Sequence, residues 1–116
     1  MNQQEMLTIV IPAYNEEQSV GQVIKTILAE QYPFIYEIIL VDDGSADHTV
    51  LIASKLGAKV IRHRHNHGNA NAIKTGIVAS QTEFIMVFDA DGQVKHYRML
   101  PQEEMRVSLK TCKKKL

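Results

Sequence analysis

At 116 residues the chain has room for one domain, and 45 % hydrophobic residues suffice for a single core, which excludes a disordered or fibrous class. Aromatic residues make up 6 % with no Trp, so a base-stacking surface for nucleic acid is poorly supported. The net charge of zero hides a break: residues 1–93 hold 6 Lys/Arg against 11 Asp/Glu, a balance of −5, and residues 94–116 hold 7 against 2, a balance of +5.

An acidic body argues against nucleic acid as a partner, since that binding neutralises phosphates with Lys and Arg, and it suits a cation better. The lone Cys112 permits no intramolecular disulfide and no CxxC zinc pair, which fits a reducing cytoplasm. Met1–Met6 carries Gln and Glu where a signal peptide needs positive charge, and no apolar run approaches the ~18 residues of a membrane span. The expectation is a cytoplasmic chain, soluble or peripheral to the inner face of a membrane.

In chain order, Leu7–Ile11 is a short apolar, β-branched run that predicts a strand buried on both faces, with Pro12 stopping it and forcing a turn. From Glu16 to about Glu30, Val20, Val23, Ile24, Ile27 and Leu28 follow helical spacing, with Asn15 as candidate cap and two glutamates in the first turn. Glu37–Val41 is a second strand leading into Asp42-Asp43-Gly44-Ser45. Thr49–Leu56 is again helical, with Gly57 placed to end it. Ala58–Ile61 is a third strand, and a polar loop with His63, His65, His67 and Gly68 precedes a helix from Asn69 to Ser80. Glu83–Phe88 is the fourth strand.

Strands alternating with helices of this length imply an α/β fold, Rossmann-like, with a mainly parallel sheet and helices on both faces. In such sheets ligands bind beyond the carboxyl ends of the strands, near the point where strand order reverses. The segments Pro12–Glu16, Asp42–Ser45, Arg62–Gly68 and Asp89–Gln93 are therefore expected on one edge.

Asp89 and Asp91 flank one small residue after a buried strand, so a turn brings two repelling carboxylates together. A hard cation, Mg²⁺ or Mn²⁺, relieves that repulsion and shares its shell with phosphates, and Gln93 adds a carbonyl oxygen. The competing reading is an ordinary turn, in which Asp and Gly are favoured for backbone reasons. Asp42-Asp43-Gly44-Ser45 is open in the same way: capping takes one carboxylate at most, and a second is more naturally an acceptor for a ligand N–H or hydroxyl. Glu16 either favours the helix dipole or points at ribose. The alternating histidines suggest a transition-metal site, but no acid or Cys accompanies them, and a solvated loop is the favoured reading. Lys74, about one turn into the third helix, is a candidate for a phosphate contact, against the commoner outcome of a solvated Lys.

The order Pro12-Ala13-Tyr14-Asn15-Glu16-Glu17, Val41-Asp42-Asp43-Gly44-Ser45 and Asp89-Ala90-Asp91-Gly92-Gln93, each after its strand, resembles the family 2 glycosyltransferases of the GT-A fold. Gly68, Asn69, Ala72, Ile73, Lys74, Thr75 and Gly76 extend the resemblance. It covers about residues 6–93 and is nearest the dolichyl- or polyprenyl-phosphate mannosyl/glucosyltransferase branch. It implies a nucleotide-diphosphate sugar donor, UDP- or GDP-linked, with Pro12, Tyr14 and Glu16 lining the nucleoside pocket and Asp43 accepting a hydrogen bond from the base. Asp89, Asp91 and Gln93 would hold the metal, which stabilises charge on the departing diphosphate as a Lewis acid. A lipid-phosphate acceptor is already an anion, so a dedicated general base is dispensable, and no catalytic residue beyond the metal site is implied.

Residues 1–93 are thus expected to be the nucleotide-sugar-binding part of a GT-A domain and residues 94–116 a basic, divergent tail. Such enzymes continue beyond the Gln93 position through an acceptor-binding portion, and a truncation or shifted reading frame would explain the switch in charge. The alternative to an active transferase is a non-catalytic nucleotide- and metal-binding fragment whose open sheet edge invites self-association. Pro101 is expected to open a helix with Met105, Leu109, Cys112 and Leu116 as an apolar stripe against lysines. That would suit an anionic membrane surface, though an incidental tail is the favoured reading. The absence of G-x-G-x-x-G after the first strand disfavours a dinucleotide oxidoreductase.

Overall fold

A computed structural model describes residues 6–30, 34–91 and 100–101. The elements run β1 (Leu7–Ala13), α1 (Val20–Ala29), β2 (Ile35–Asp42), α2 (Thr49–Lys55), β3 (Lys59–Arg62), α3 (Asn69–Ala79), β4 (Phe84–Val87) and β5 (Leu100–Pro101). The sheet order is β3-β2-β1-β4-β5, with β1 to β4 mutually parallel and β5 antiparallel to β4. This is the expected α/β sheet.

Every residue of the central β1 is buried, Thr8 included, as a strand covered by helices on both faces requires. Alternation then divides the core. Ile9 and Ile11 join Val20, Ile24 and Ile27 of α1 and Ala53 of α2, whereas Val10 joins Val41, Ala72 and Ile77 on the α3 face. Gly76 permits the second layer: a Cβ there would lie 2.5 Å from Val10 Cγ1 and 3.2 Å from Val41 Cγ2. Gly57 takes a φ of 92° just past Leu56, the cap residue of α2, the left-handed conformation suited to a helix end.

Three expectations change. Pro12 does not stop β1, which continues to Ala13 and pairs Pro12 with Val41. Ala13 O accepts from Asp43 N on the β2 side and Val10 O from Phe88 N on the β4 side, so the Pro12 nitrogen faces beyond the end of β4, where its missing N–H breaks no ladder bond. Asn15 does not cap α1, which begins at Val20 with Ser19 before it and no acidic residue in its first turn. Pro101 lies in the edge strand β5, where a proline is tolerated, instead of opening a helix. The remainder of that expected stripe falls outside the described residues. Among the described residues no helix is long and apolar enough to cross a membrane.

Candidate active site

Parallel pairing brings the carboxyl ends of β1 to β4 to one edge, and the strand order reverses between β1 and β4. A cleft of about 240 Å³ opens there. Its walls are Pro12 near the end of β1, Tyr14 and Glu16 from the first loop, Asp43 from the second, Asn66, Gly68 and Asn69 around the third, and Asp89 and Asp91 from the fourth. The expected convergence of four loops is what the sheet produces.

Side chains fasten these loops together. Asn15 adopts a φ of 51°, tolerable for Asn, donates its N–H to Ser45 Oγ at 2.7 Å and accepts from Ala46 N at 2.9 Å. Glu16 N donates to Thr49 Oγ1 at 2.9 Å and Glu17 N to Asp47 Oδ2 at 3.2 Å. Burial alone would raise the Asp47 carboxyl, but the Thr49 hydroxyl and the Thr49 and Glu17 N–H groups outweigh it and hold its pKa below the ordinary value. The Ser19 hydroxyl donates to Ala90 O at 2.5 Å, tying the start of α1 to the turn between Asp89 and Asp91.

The two readings of Asp42-Asp43 divide between the residues. Asp42 is fully buried and does the turn's work, accepting from Ser45 N at 3.0 Å and from Arg62 Nε at 3.3 Å. Asp43 borders the cleft. It accepts from His63 Nδ1 at 2.8 Å and His67 N at 2.9 Å on Oδ1, and from Gly68 N at 2.9 Å on Oδ2. Burial pushes its pKa up, but the hydrogen bonds from His67, His63 and Gly68 push further down, and the carboxyl rests below its ordinary value.

Glu16 is shifted the other way. Burial raises its pKa; the Ser19 hydroxyl opposes this, and the charges of Asp91, Asp47 and Asp89 add to the rise. The cleft is thus a concentration of carboxylate oxygens that repel one another. That donor set fits a hard divalent cation and no soft one. Among the described residues no group of three or more His, Cys, Asp or Glu is disposed to hold a metal. Asp89 and Asp91 supply two carboxylates, and Gln93 lies outside the described residues.

Lys74 is not brought to this cleft. It lines a second hollow beside α3, with Ile61, His67, Thr75 and Val78, because its place on the helix turns it away from the strand ends. His63 corrects the favoured reading of a solvated loop: its side chain is 13 % exposed and bridges Asp43 to Thr75 Oγ1, 2.8 Å from each. A signal was present, since His63 directly follows β3, at the same edge as Asp43 after β2.

A family model described as glycosyl transferase family 2 matches residues 8–103. The chain belongs to glycosyl transferase family 2. It is 36 % identical over 105 residues to human dolichyl-phosphate beta-glucosyltransferase, covering 78 % of this chain and 32 % of that protein. Dodecaprenyl-phosphate galacturonate synthase of Rhizobium johnstonii is 37 % identical over 95 residues, covering 75 % of this chain and 28 % of that one. Among solved structures, glucosyl-3-phosphoglycerate synthase from Mycobacterium tuberculosis, in complex with Mn²⁺, uridine diphosphate and glucosyl-3-phosphoglycerate, superposes with a TM-score of 0.66 at 26 % identity, covering 74 % of this chain and 33 % of that one. The family 2 chain described here spans about a third of the length of these curated relatives.

Proposed function

We propose that the cleft binds a nucleotide-diphosphate sugar with Mg²⁺ or Mn²⁺ and serves sugar transfer to an acceptor, a polyprenyl phosphate in the first instance. The observation that carries this reading is the gathering of Glu16, Asp43, Asp89 and Asp91, from three separate loops, around one cleft at the strand-order reversal. Relatives named for dolichyl phosphate and dodecaprenyl phosphate support the acceptor class, and the neighbour solved with Mn²⁺ and uridine diphosphate supports UDP as a donor nucleotide.

In this proposal Asp89 and Asp91, with Gln93, hold the metal, which when bound supplies Lewis-acid stabilisation of the departing diphosphate. Tyr14, 47 % exposed at the cleft mouth, and Pro12 frame the nucleoside. Glu16 accepts from ribose hydroxyls, and Asp43 accepts from the base. The first turn of α3, where Asn69 and Ala72 border the cleft, lends the partial positive charge of a helix start to the diphosphate. Lys74 is left out of this arrangement because it lines the second hollow beside α3. A polyprenyl-phosphate acceptor brings the chain to a membrane surface, where the basic residues 94–116 favour anionic lipid, and β3, which ends the sheet among the described residues, offers a route to self-association.

Calorimetric titration with UDP and with GDP, each with and without Mn²⁺, tests the donor site. Metal-dependent binding of at least one nucleotide is expected. Asp91 is exposed, so Asp91→Ala should leave the fold intact and abolish the metal-dependent component. Undiminished metal-dependent binding by that variant would remove Asp91 from the metal site.

A further inference from the structure

His63 stands behind the Asp43 carboxylate and is used by none of the donor chemistry above. Ionised, Asp43 can only accept, so His63 Nδ1 donates to Oδ1 across the 2.8 Å separation. The far side of the ring meets Thr75 Oγ1 of α3 at 2.8 Å, and the single hydroxyl proton of Thr75 goes either to His63 Nε2 or to Asn71 O, 3.0 Å away. His67 packs edge-on against the same ring, with centroids 5.0 Å apart and planes at 81°. A carboxylate turns easily about its last torsion, so its direction is set by its donors. Here Oδ1 takes two, His63 Nδ1 and His67 N, and Oδ2 takes one, Gly68 N, which leaves Oδ2 the greater spare capacity as an acceptor.

We infer that His63 is a positioning residue: braced by Thr75, it fixes the rotation of the Asp43 carboxylate and thereby sets which nucleobase the cleft accepts, without touching the donor. This rests on the proposal that the cleft takes a nucleoside diphosphate through Asp43. An acceptor held in one direction favours a base whose ring nitrogen bears a proton, such as uracil. It rejects one whose ring nitrogen is itself an acceptor, such as cytosine, because two acceptors then face each other. A merely structural His63 would weaken both bases equally when removed, whereas a positioning His63 changes their ratio.

The full chain and its His63→Leu, His63→Asn and Thr75→Val variants are titrated with UDP and CDP in the presence of Mn²⁺. His63→Leu should lower UDP affinity about tenfold, the scale of one hydrogen bond to a charged group, and change CDP little. His63→Asn, which restores a side-chain N–H beside Asp43, should recover most of the preference. Thr75→Val, which removes only the outer brace, should erode it less and keeps the test open where His63→Leu does not fold. Equal losses for UDP and CDP, or no recovery in a folded His63→Asn, overturn the inference. Carboxyl NMR of Asp43 in the nucleotide-free chain separates this from the donor reading. A titration that moves upward in His63→Leu and returns in His63→Asn supports the coupling even where no nucleotide binds, an outcome that counts against the donor site. An unmoved titration overturns the coupling itself.

Discussion

Substituting Ala for Gly76 would place a methyl carbon 2.5 Å from Val10 Cγ1, 3.1 Å from Val10 Cγ2 and 3.2 Å from Val41 Cγ2. Carbon atoms settle near 3.5–4.0 Å, so α3 must lift from β1 and β2 by about 1 Å. Val10 and Val41 are both fully buried and have no room to turn aside. Overpacking of this kind costs about 1–3 kcal/mol, and three short contacts argue for the upper half of that range. Against it stands a gain of about 1 kcal/mol from replacing Gly by Ala within a helix. The net expectation is a loss of about 1–2 kcal/mol. With a urea dependence of roughly 2 kcal/mol per molar, the unfolding midpoint followed by circular dichroism should fall by about 0.5–1 M. The same lift displaces Asn69 and Ala72 at the cleft, so nucleotide affinity should drop along with stability. Gly21→Ala is the control: its nearest neighbour is the γ2 methyl of Ile52 at 3.3 Å, a much smaller overlap than at Gly76, and the midpoint should shift far less. A Gly76→Ala variant as stable as the parent, or more so, would refute the close-approach argument.

Acid sensitivity follows from Asp43 and Asp47, whose folded pKa values lie below the ordinary 3.8. Stability from such groups is present above the unfolded value and lost as pH falls through the folded one, so the urea midpoint should decline below about pH 4, and less steeply in Asp43→Asn. Glu16 has the opposite sign, since its folded value is raised above 4.5 and its ionised form opposes the fold. Glu16→Gln should therefore raise the midpoint at neutral pH and lose that advantage in acid, while weakening nucleotide binding. A Glu16→Gln midpoint unchanged at pH 7.5 would count against the mutual repulsion of the cleft carboxylates.

The carboxylate motifs and the strands that carry them were legible in the sequence, because each depends on residues adjacent in the chain. Leu7–Ile11 is apolar at every position but Thr8 since β1 is covered on both faces, and Asp89-Ala90-Asp91 follows the end of β4 after Phe88 alone. The four loops could be assigned to one edge before any coordinates, since parallel strands leave no other arrangement. What escaped was everything decided between loops. Asn15 looked like a cap because Asn often is one, yet its amide is taken by Ala46 in a different loop. Pro12 looked like a terminator because its missing N–H forbids most strand interiors, and only the short reach of β4 makes it harmless.

Local periodicity records which face of an element is buried, and that much the amino-acid sequence by itself determined: an α/β order, a parallel sheet and an acidic edge. The partner across a gap is set by strand order and by how closely a helix approaches the sheet. Tertiary structure alone therefore divided Asp42 from Asp43, turned Lys74 away from the cleft, and put His63 behind the carboxylate it holds. A hydrogen bond between residues 20 apart in sequence leaves no period to read. It forms because β2 and β3 lie side by side and end at the same edge.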